Sequence, residues 1–279
     1  MRYKMICIDM DGTLLGKGRE ISEENKRIIK EAYDEGAKIV VTTGRIYNNA
    51  AYFSNILGVE SPVIAANGAI IREKHDDHII YQNTIPKEEC KELAKLLYKN
   101  KMHFHFYTID SIYCSSNFVE FGTKLFMTKQ IGYESLKINY YIAKNIDEWE
   151  EIFNNNSDKI TKCIAFSLNK DKIKNFKKEL DSIDEVVYFG AGAHSIEINH
   201  RGVSKGNAVK ELAKYYGFNK DEIMCIGDNE NDLSMIQYAG LGIAMGNAIE
   251  AVKKAADYIT DTNKRHGVAK AIKKFVLKK

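Results

Sequence analysis

Proline is nearly missing from this chain, with two residues in 279. Together with an ordinary globular composition, that scarcity excludes a Pro-rich extended or disordered polymer. Cysteine is also sparse: Cys7, Cys90, Cys114, Cys163 and Cys225 are odd in number, widely spaced and form no CxxC pair. The pattern argues against a disulfide framework and against a structural zinc knuckle, and a reducing cytoplasm is the expected home. Only seven arginines are present, and 41 basic against 38 acidic side chains leave a charge of +3. So small an imbalance, with so few bidentate phosphate readers, does not support a nucleic-acid partner. No apolar run reaches membrane length either. The longest uncharged stretch, residues 233–249, is broken by Gln237, Gly240, Gly242, Gly246 and Asn247 and falls short of the ~20 apolar residues of a spanning helix. The opening MRYKMICIDMDG brings in charge too early for a secretion signal.

What is present is a chain with 44% hydrophobic and 28% charged residues, long enough for two cores at roughly one per 150 residues. Residues 5–8 form a short apolar run that stops at Asp9. An amphipathic segment then runs from Ser22, with Glu23 and Glu24 behind it, to Gly36, the order of an N-cap and a helix stop. A second apolar run, 37–41, ends in Thr42-Thr43-Gly44. A helical pattern over 46–57 closes at Gly58, and a third run, 62–66, ends in Asn67-Gly68. This alternation builds a parallel sheet with crossover helices. The same rhythm returns late, as a strand at 195–199, a helix at 204–216, a strand at 223–227, a helix at 229–239 and a strand at 241–245. Between the two halves the texture changes to closely spaced strands at 104–108, 112–114, 138–143, 164–168 and 186–189, with helices at 87–101, 147–153 and 170–180. The expected architecture is an α/β chain with a Rossmann-like parallel-sheet core over 1–83 and 195–279, and a mixed α+β insertion over 84–194.

Ligands of an open parallel sheet sit beyond the carboxyl ends of its strands. There the first run delivers Asp9-Met10-Asp11-Gly12-Thr13, the second Thr43-Gly44-Arg45, and the late strand Gly227-Asp228-Asn229-Glu230-Asn231-Asp232. Asp9 and Asp11 are two apart, so both carboxylates share one face. At ~6 Å and an effective dielectric of about 20 they would repel by roughly 3 kcal/mol. The pair therefore needs a divalent cation, a lysine or a proton. Asp228 offers a third hard oxygen of the kind Mg²⁺ prefers, and Lys205, at the start of a late helix, offers the positive charge. One strand-ending aspartate would be only a turn former. Four such stretches in order, each at a strand or helix end, point to a built site.

With DMDGT, TTGR, GVSKG and GDNEND in place, the sequence resembles the haloacid dehalogenase (HAD) superfamily, in its Cof-type branch with a type IIB cap. The likeness covers the whole chain, with the insertion where that cap belongs; NGA at 67–69 and MGNA at 245–248 also match the branch. The resemblance implies a Mg²⁺-dependent phosphatase acting on small phosphomonoesters such as sugar phosphates. By it Asp9 is the nucleophile that becomes an aspartyl-phosphate, and Asp11 is the general acid and base. Asp9, Asp228 and the Asp11 backbone carbonyl ligate the metal. The Met10 and Gly44 amides, the Thr43 hydroxyl, Lys205 and Asn231 hold the phosphoryl oxygens, and Asp232 supports Lys205 or a metal-bound water. Arg45 either reaches the substrate or caps the following helix and pairs with a carboxylate. The cap would select among metabolites by closing over the site.

Two histidine pairs lack the further ligands of a metal site. His75 and His78 flank Asp76 and Asp77 in what reads as a hairpin turn, and His103 and His105 share one face of a strand. No dinucleotide fingerprint follows a first strand, no Walker A sequence is present, and the lone Trp149 and the Cys7 side chain read as packing. Rivals to hydrolysis are a phosphomutase using the same phosphoenzyme and a phosphate-binding or phospho-accepting regulatory module. The small phosphorylated metabolite is the one expected partner, with no membrane or nucleic acid, and the protein is expected as a cytoplasmic monomer or homodimer.

Overall fold

The computed structural model describes residues 1–16, 20–76, 78–131, 138–190 and 192–278. The chain forms two compact units, Met1–Gln82 with Ser204–Lys279, and Asn83–Val203.

The first unit opens with β1 (Met5–Ile8), α1 (Glu23–Asp34), β2 (Lys38–Val41) and α2 (Tyr47–Ile56), then β3 (Val63–Ala65), β4 (Ile70–Arg72) and β5 (Ile79–Gln82). All four residues of β1 are buried, as a strand covered on both faces requires. The Ser22 hydroxyl caps α1 by accepting from the Asn25 amide, which satisfies a donor the helix cannot use itself. The third apolar run keeps a parallel contact with the end of β2 and adds an antiparallel hairpin. It meets β2 at a single bridge, Thr42 with Ile64, and otherwise β3 pairs antiparallel with β4, which turns back as a hairpin onto β5. Past Val41 the contact continues as backbone hydrogen bonds, from the Thr43 amide to the Ile64 carbonyl and from the Ala66 amide to the Arg45 carbonyl, both at 2.9 Å.

The second unit contains α3 (Lys87–Lys99), β6 (His103–Tyr107), β7 (Ser111–Cys114), α4 (Asn117–Ile131), β8 (Asn139–Ile142), α5 (Ile146–Asn155), β9 (Lys162–Phe166), α6 (Lys170–Leu180), β10 (Val186–Gly190) and β11 (Ser195–His200). Its sheet has the order β10-β11-β9-β6-β7-β8. Phe104, Phe106, Trp149, Phe153 and Phe176 fill its core with Leu93 and Leu97. Trp149 packs there and gives its ring N–H to the Tyr98 hydroxyl at 3.0 Å.

Two sequence expectations change here. The strand at 195–199, assigned to the returning α/β half, lies antiparallel between β9 and β10, and the compact units change only after Val203. Ile196 and Ile198 are buried while Ser195 and Glu197 are less so. That alternation belongs to a half-covered antiparallel strand rather than to a fully buried parallel one. The helix α4 was not anticipated. Its Val119 and Met127 are buried while Phe118, Phe121, Leu125 and Phe126 are exposed, so the apolar residues never resolve into one stripe.

The first unit resumes with α7 (Lys205–Tyr216), β12 (Ile223–Gly227), α8 (Leu233–Tyr238), β13 (Leu241–Ala244), α9 (Glu250–Ala255), β14 (Tyr258–Ile259) and α10 (Gly267–Ile272). Its parallel sheet runs β14-β13-β12-β1-β2. Ile8 pairs with Ile226 on one side and Val41 on the other, so the three motif-bearing strands end level at one sheet edge. Among the described residues, no helix is long and apolar enough to cross a membrane.

Candidate active site

That register sets the site. Asp9 follows β1, and its amide donates to the Ile226 carbonyl at 3.0 Å, while Asp228 follows β12. Lys205 is the first residue of α7, whose N-cap Ser204 accepts from the Asn207 amide. Gly206 lets this helix start lie against α8. A Cβ there would come within 2.4 Å of the Ser234 carbonyl oxygen, so only glycine permits the approach that carries the lysine in.

The Lys205 side chain is fully buried, with Nζ 2.6 Å from Asp9 Oδ1 and 2.5 Å from Asp232 Oδ1. Burial alone would lower the lysine pKa, but the Asp232 and Asp9 carboxylates outweigh it and raise the group above its ordinary value. Asp232 Oδ2 accepts from the amides of Asp228 and Asn229 at 2.8 and 3.0 Å, fixing it at the entrance to α8. Asp9, Asp228 and Asp232 bring carboxylate oxygens within 4.8 Å of one another. Burial pushes the Asp9 carboxyl well above the usual aspartate range; the charges of Asp232 and Asp228 push it further, against Lys205. Burial likewise lifts Asp228 to about 6, the Thr13 hydroxyl bond holding it back.

The carboxylate that joins Asp9 and Asp228 is thus Asp232, while the Asp11 side chain turns away. Arg45 donates Nε to Asp11 Oδ2 at 2.7 Å and Nη2 to Oδ1 at 2.5 Å, and gives Nη1 to Asn49 Oδ1 at 2.9 Å. Of the two alternatives for Arg45, pairing with a carboxylate is the contact made. The Thr43 hydroxyl accepts from the Arg45 amide at 3.2 Å. Asn231 donates its side-chain amide to Asn67 Oδ1 at 3.1 Å, and Asn67 sits with φ of 62°. Met10 is buried and its carbonyl accepts from the Leu15 amide. Gly44 lies in the turn after β2.

Several contributors escaped the sequence reading. The Thr13 hydroxyl donates to Asp228 Oδ1 at 2.7 Å. Gly12, with φ of +86°, lies so close that a Cβ would be 2.3 Å from Asp228 Oδ2. Asn247, inside MGNA, donates to the Gly12 carbonyl at 2.8 Å. Thr13 was visible within DMDGT, but only the fold shows that its partner lies 215 positions away.

The histidines of the two pairs have partners of their own. His75 meets Glu60 at 3.0 Å, and the His78 amide donates to Asp76 in the β4–β5 turn; Asp77 lies outside the described residues. In the second unit the His103 ring stacks on Phe166. The buried His105 bonds Thr123 and the Tyr107 hydroxyl at 3.0 and 3.1 Å. Burial, then the Lys162 charge, pushes its pKa down to about 3, so the ring is neutral. Lys162 is also buried, 3.2 Å from Glu197.

A family model for haloacid dehalogenase-like hydrolases matches residues 6–272. The chain belongs to the haloacid dehalogenase-like hydrolases. YxeH of Bacillus subtilis is 34% identical to this hydrolase, over 99% of this chain and all of the relative. The 5-amino-6-(5-phospho-D-ribitylamino)uracil phosphatase YcsE of the same organism is 32% identical, over 98% and 96% of the two chains. Among solved structures, the HAD subclass IIB sugar phosphatase BT4131 superposes with a TM-score of 0.77 at 27% identity, covering 98% of each chain. The hydrolase has the parallel core with an inserted, largely antiparallel unit expected of the Cof-type IIB branch.

Proposed function

We propose that this hydrolase cleaves small phosphomonoesters, sugar phosphates and related metabolites, through an aspartyl-phosphate on Asp9. The observation that carries the reading is the placement of Asp9, with its Oδ1 2.6 Å from the buried Lys205 ammonium and Asp228 beside it. A carboxylate so held is anchored and charge-compensated on one side, and has acidic neighbours on the other. In the first step an Asp9 oxygen attacks phosphorus and the ester oxygen leaves as the alcohol, taking a proton from Asp11. In the second, Asp11 removes a proton from water, which attacks phosphorus, releasing phosphate and restoring Asp9. Two in-line displacements replace one difficult one. Lys205, Asn231, the Thr43 hydroxyl and the amides of Met10 and Gly44 hold the phosphoryl oxygens, and Asp232 positions Lys205.

The residues fit Mg²⁺. Hard carboxylate oxygens of Asp9 and Asp228 lie together, and both groups are raised by burial among like charges, the condition that a divalent cation relieves. Asp9, Asp228 and the Asp11 backbone carbonyl would hold it, Asp232 being occupied by Lys205 and two amides. Bound there, the cation neutralises charge on the phosphoryl group. The second unit selects the alcohol portion of the substrate.

Turnover of p-nitrophenyl phosphate with Mg²⁺ and a screen of phosphorylated metabolites, scored as phosphate released, test the reading. Asp9→Asn is expected to abolish turnover, a fall of at least about 10⁴-fold for a lost nucleophile, while folding and Mg²⁺-dependent phosphate binding persist. Near-normal turnover in the purified variant would remove Asp9 from its role, and appearance of a sugar-phosphate isomer without free phosphate would make the enzyme a mutase.

A further inference from the structure

The Asp11–Arg45 pair is at odds with the work assigned to Asp11. Both oxygens of Asp11 accept hydrogen bonds from one guanidinium, so neither is available to a leaving alcohol while the pair holds. If Asp11 serves that step, it must leave the arginine first, and something must take its place. Arg45 cannot follow it out easily. Its side chain is only 8% exposed while that of Asp11 is 56% exposed. From behind, Asn49 on α2 accepts Nη1 at 2.9 Å and the Phe53 ring, one turn further along α2, lies 5.3 Å from the guanidinium carbon. The fork is therefore fixed by a helix, and the carboxylate is the solvent-facing member of the pair. A buried guanidinium stripped of its anion is strongly unfavourable. Its two parallel N–H donors match the oxygens of a carboxylate and of a phosphoryl group equally well.

We propose that Asp11 is an internal stand-in for the substrate's phosphoryl anion: it occupies the Arg45 fork, and an incoming phosphoryl group exchanges with it. The exchange moves the anion onto Arg45 and frees both Asp11 oxygens in one event. Water entering without a phosphoryl group leaves Asp11 clamped. Arg45 is thus a phosphoryl-binding residue whose contact with Asp11 restrains the site until substrate arrives. This inference rests on the phosphatase reading above, and its test can fail separately.

Inorganic phosphate is titrated by calorimetry, with Mg²⁺ present, into the wild type, Asp11→Asn, Arg45→Met and the double variant. Asparagine is nearly isosteric but cannot present two anionic oxygens to the fork. Asp11→Asn is expected to bind phosphate at least about tenfold more tightly than the wild type, and the gain is expected to vanish on the Arg45→Met background. No gain, or an equal gain on both backgrounds, which would be simple relief of negative charge, overturns the proposal. A second readout avoids substituting Asp11. The Arg45 Nε–H resonance of the wild type, assigned by its loss in Arg45→Lys, is expected to shift on adding phosphate with Mg²⁺; an unmoved resonance at saturating phosphate also overturns the exchange. Wild-type turnover of p-nitrophenyl phosphate separates the two failures. An active enzyme showing neither the gain nor the shift loses only the exchange, whereas a wild type that neither turns over nor binds phosphate loses the phosphatase reading as well.

Discussion

Replacing Lys205 with methionine tests whether the site is organised as described, because it keeps the volume of the side chain and removes only the charge. The ammonium lies 2.6 Å from Asp9 and 2.5 Å from Asp232, and these two carboxylates are within 4.8 Å of each other. Without the lysine, two unit charges at that separation repel by about 3 kcal/mol at an effective dielectric of 20. Each also loses a charge-assisted hydrogen bond, which puts the loss in the range of about 3–5 kcal/mol seen when one member of a buried ion pair is removed. In a unit of about 160 residues, where 1 kcal/mol moves Tm by about 2–4 °C, the melting temperature at pH 7.5 in EDTA should drop by roughly 8–15 °C. The direction with pH follows from linkage. With Lys205 gone, the Asp9 carboxyl, already raised by burial and by Asp232, rises further. A raised carboxyl binds protons more readily in the folded state, so stability falls as pH increases, and the deficit should shrink on going from pH 7.5 to 5. The wild-type lysine is itself raised, so its own contribution is fully present below its unfolded pKa near 10.4 and is lost only above it. Paired thermal melts of wild type and variant at the two pH values decide the matter. A deficit under about 3 °C at pH 7.5, or one that does not change with pH, would refute the reasoning.

Asp228, lifted to about 6 from an ordinary 3.8, destabilises the cation-free fold progressively as pH rises between those values, by about 3 kcal/mol in all. A divalent cation favours the ionised carboxylates, so 5 mM Mg²⁺ should raise Tm more at pH 7.5 than at pH 5; an equal gain at both would count against Asp228 as a ligand. Gly12→Ala places a methyl group 2.3 Å from Asp228 Oδ2 at a φ of +86°, which an L side chain tolerates badly. Because the displaced carboxylate is a proposed ligand, Mg²⁺ affinity measured by calorimetry should fall about 10–100-fold, and an unchanged affinity would show that the Gly12 loop is not what holds Asp228.

Much of this was legible in the sequence because its physics is local. Buried parallel strands read as unbroken apolar runs, so residues 5–8 and 223–227 announced themselves, and the polar residues after them marked the functional edge of the sheet. Ser22 was readable as a cap because capping depends on residues three apart. The strand at 195–200 was misplaced because its sequence tells that it is a strand but not which sheet will take it. Only the pairing of Ile196 with Gly190 and Ala165 decides that. The helix at 117–131 was missed because its apolar residues face two ways.

The sequence by itself determined the inventory: a nucleophilic carboxylate, acidic partners, a lysine and phosphate-holding polar groups, each attached to the end of a recognisable element. Tertiary structure decided the pairings. It delivered Lys205 to Asp9 and Asp232 rather than to Asp11, gave Asp11 to Arg45, and put Thr13 and Gly12 against Asp228. The division has one physical cause. Where a strand or helix begins and ends is fixed by neighbours along the chain, whereas which charge compensates which is fixed by a few ångströms of separation between residues such as Asp9 and Lys205, 196 positions apart, and in a buried site those few ångströms set the electrostatic energy.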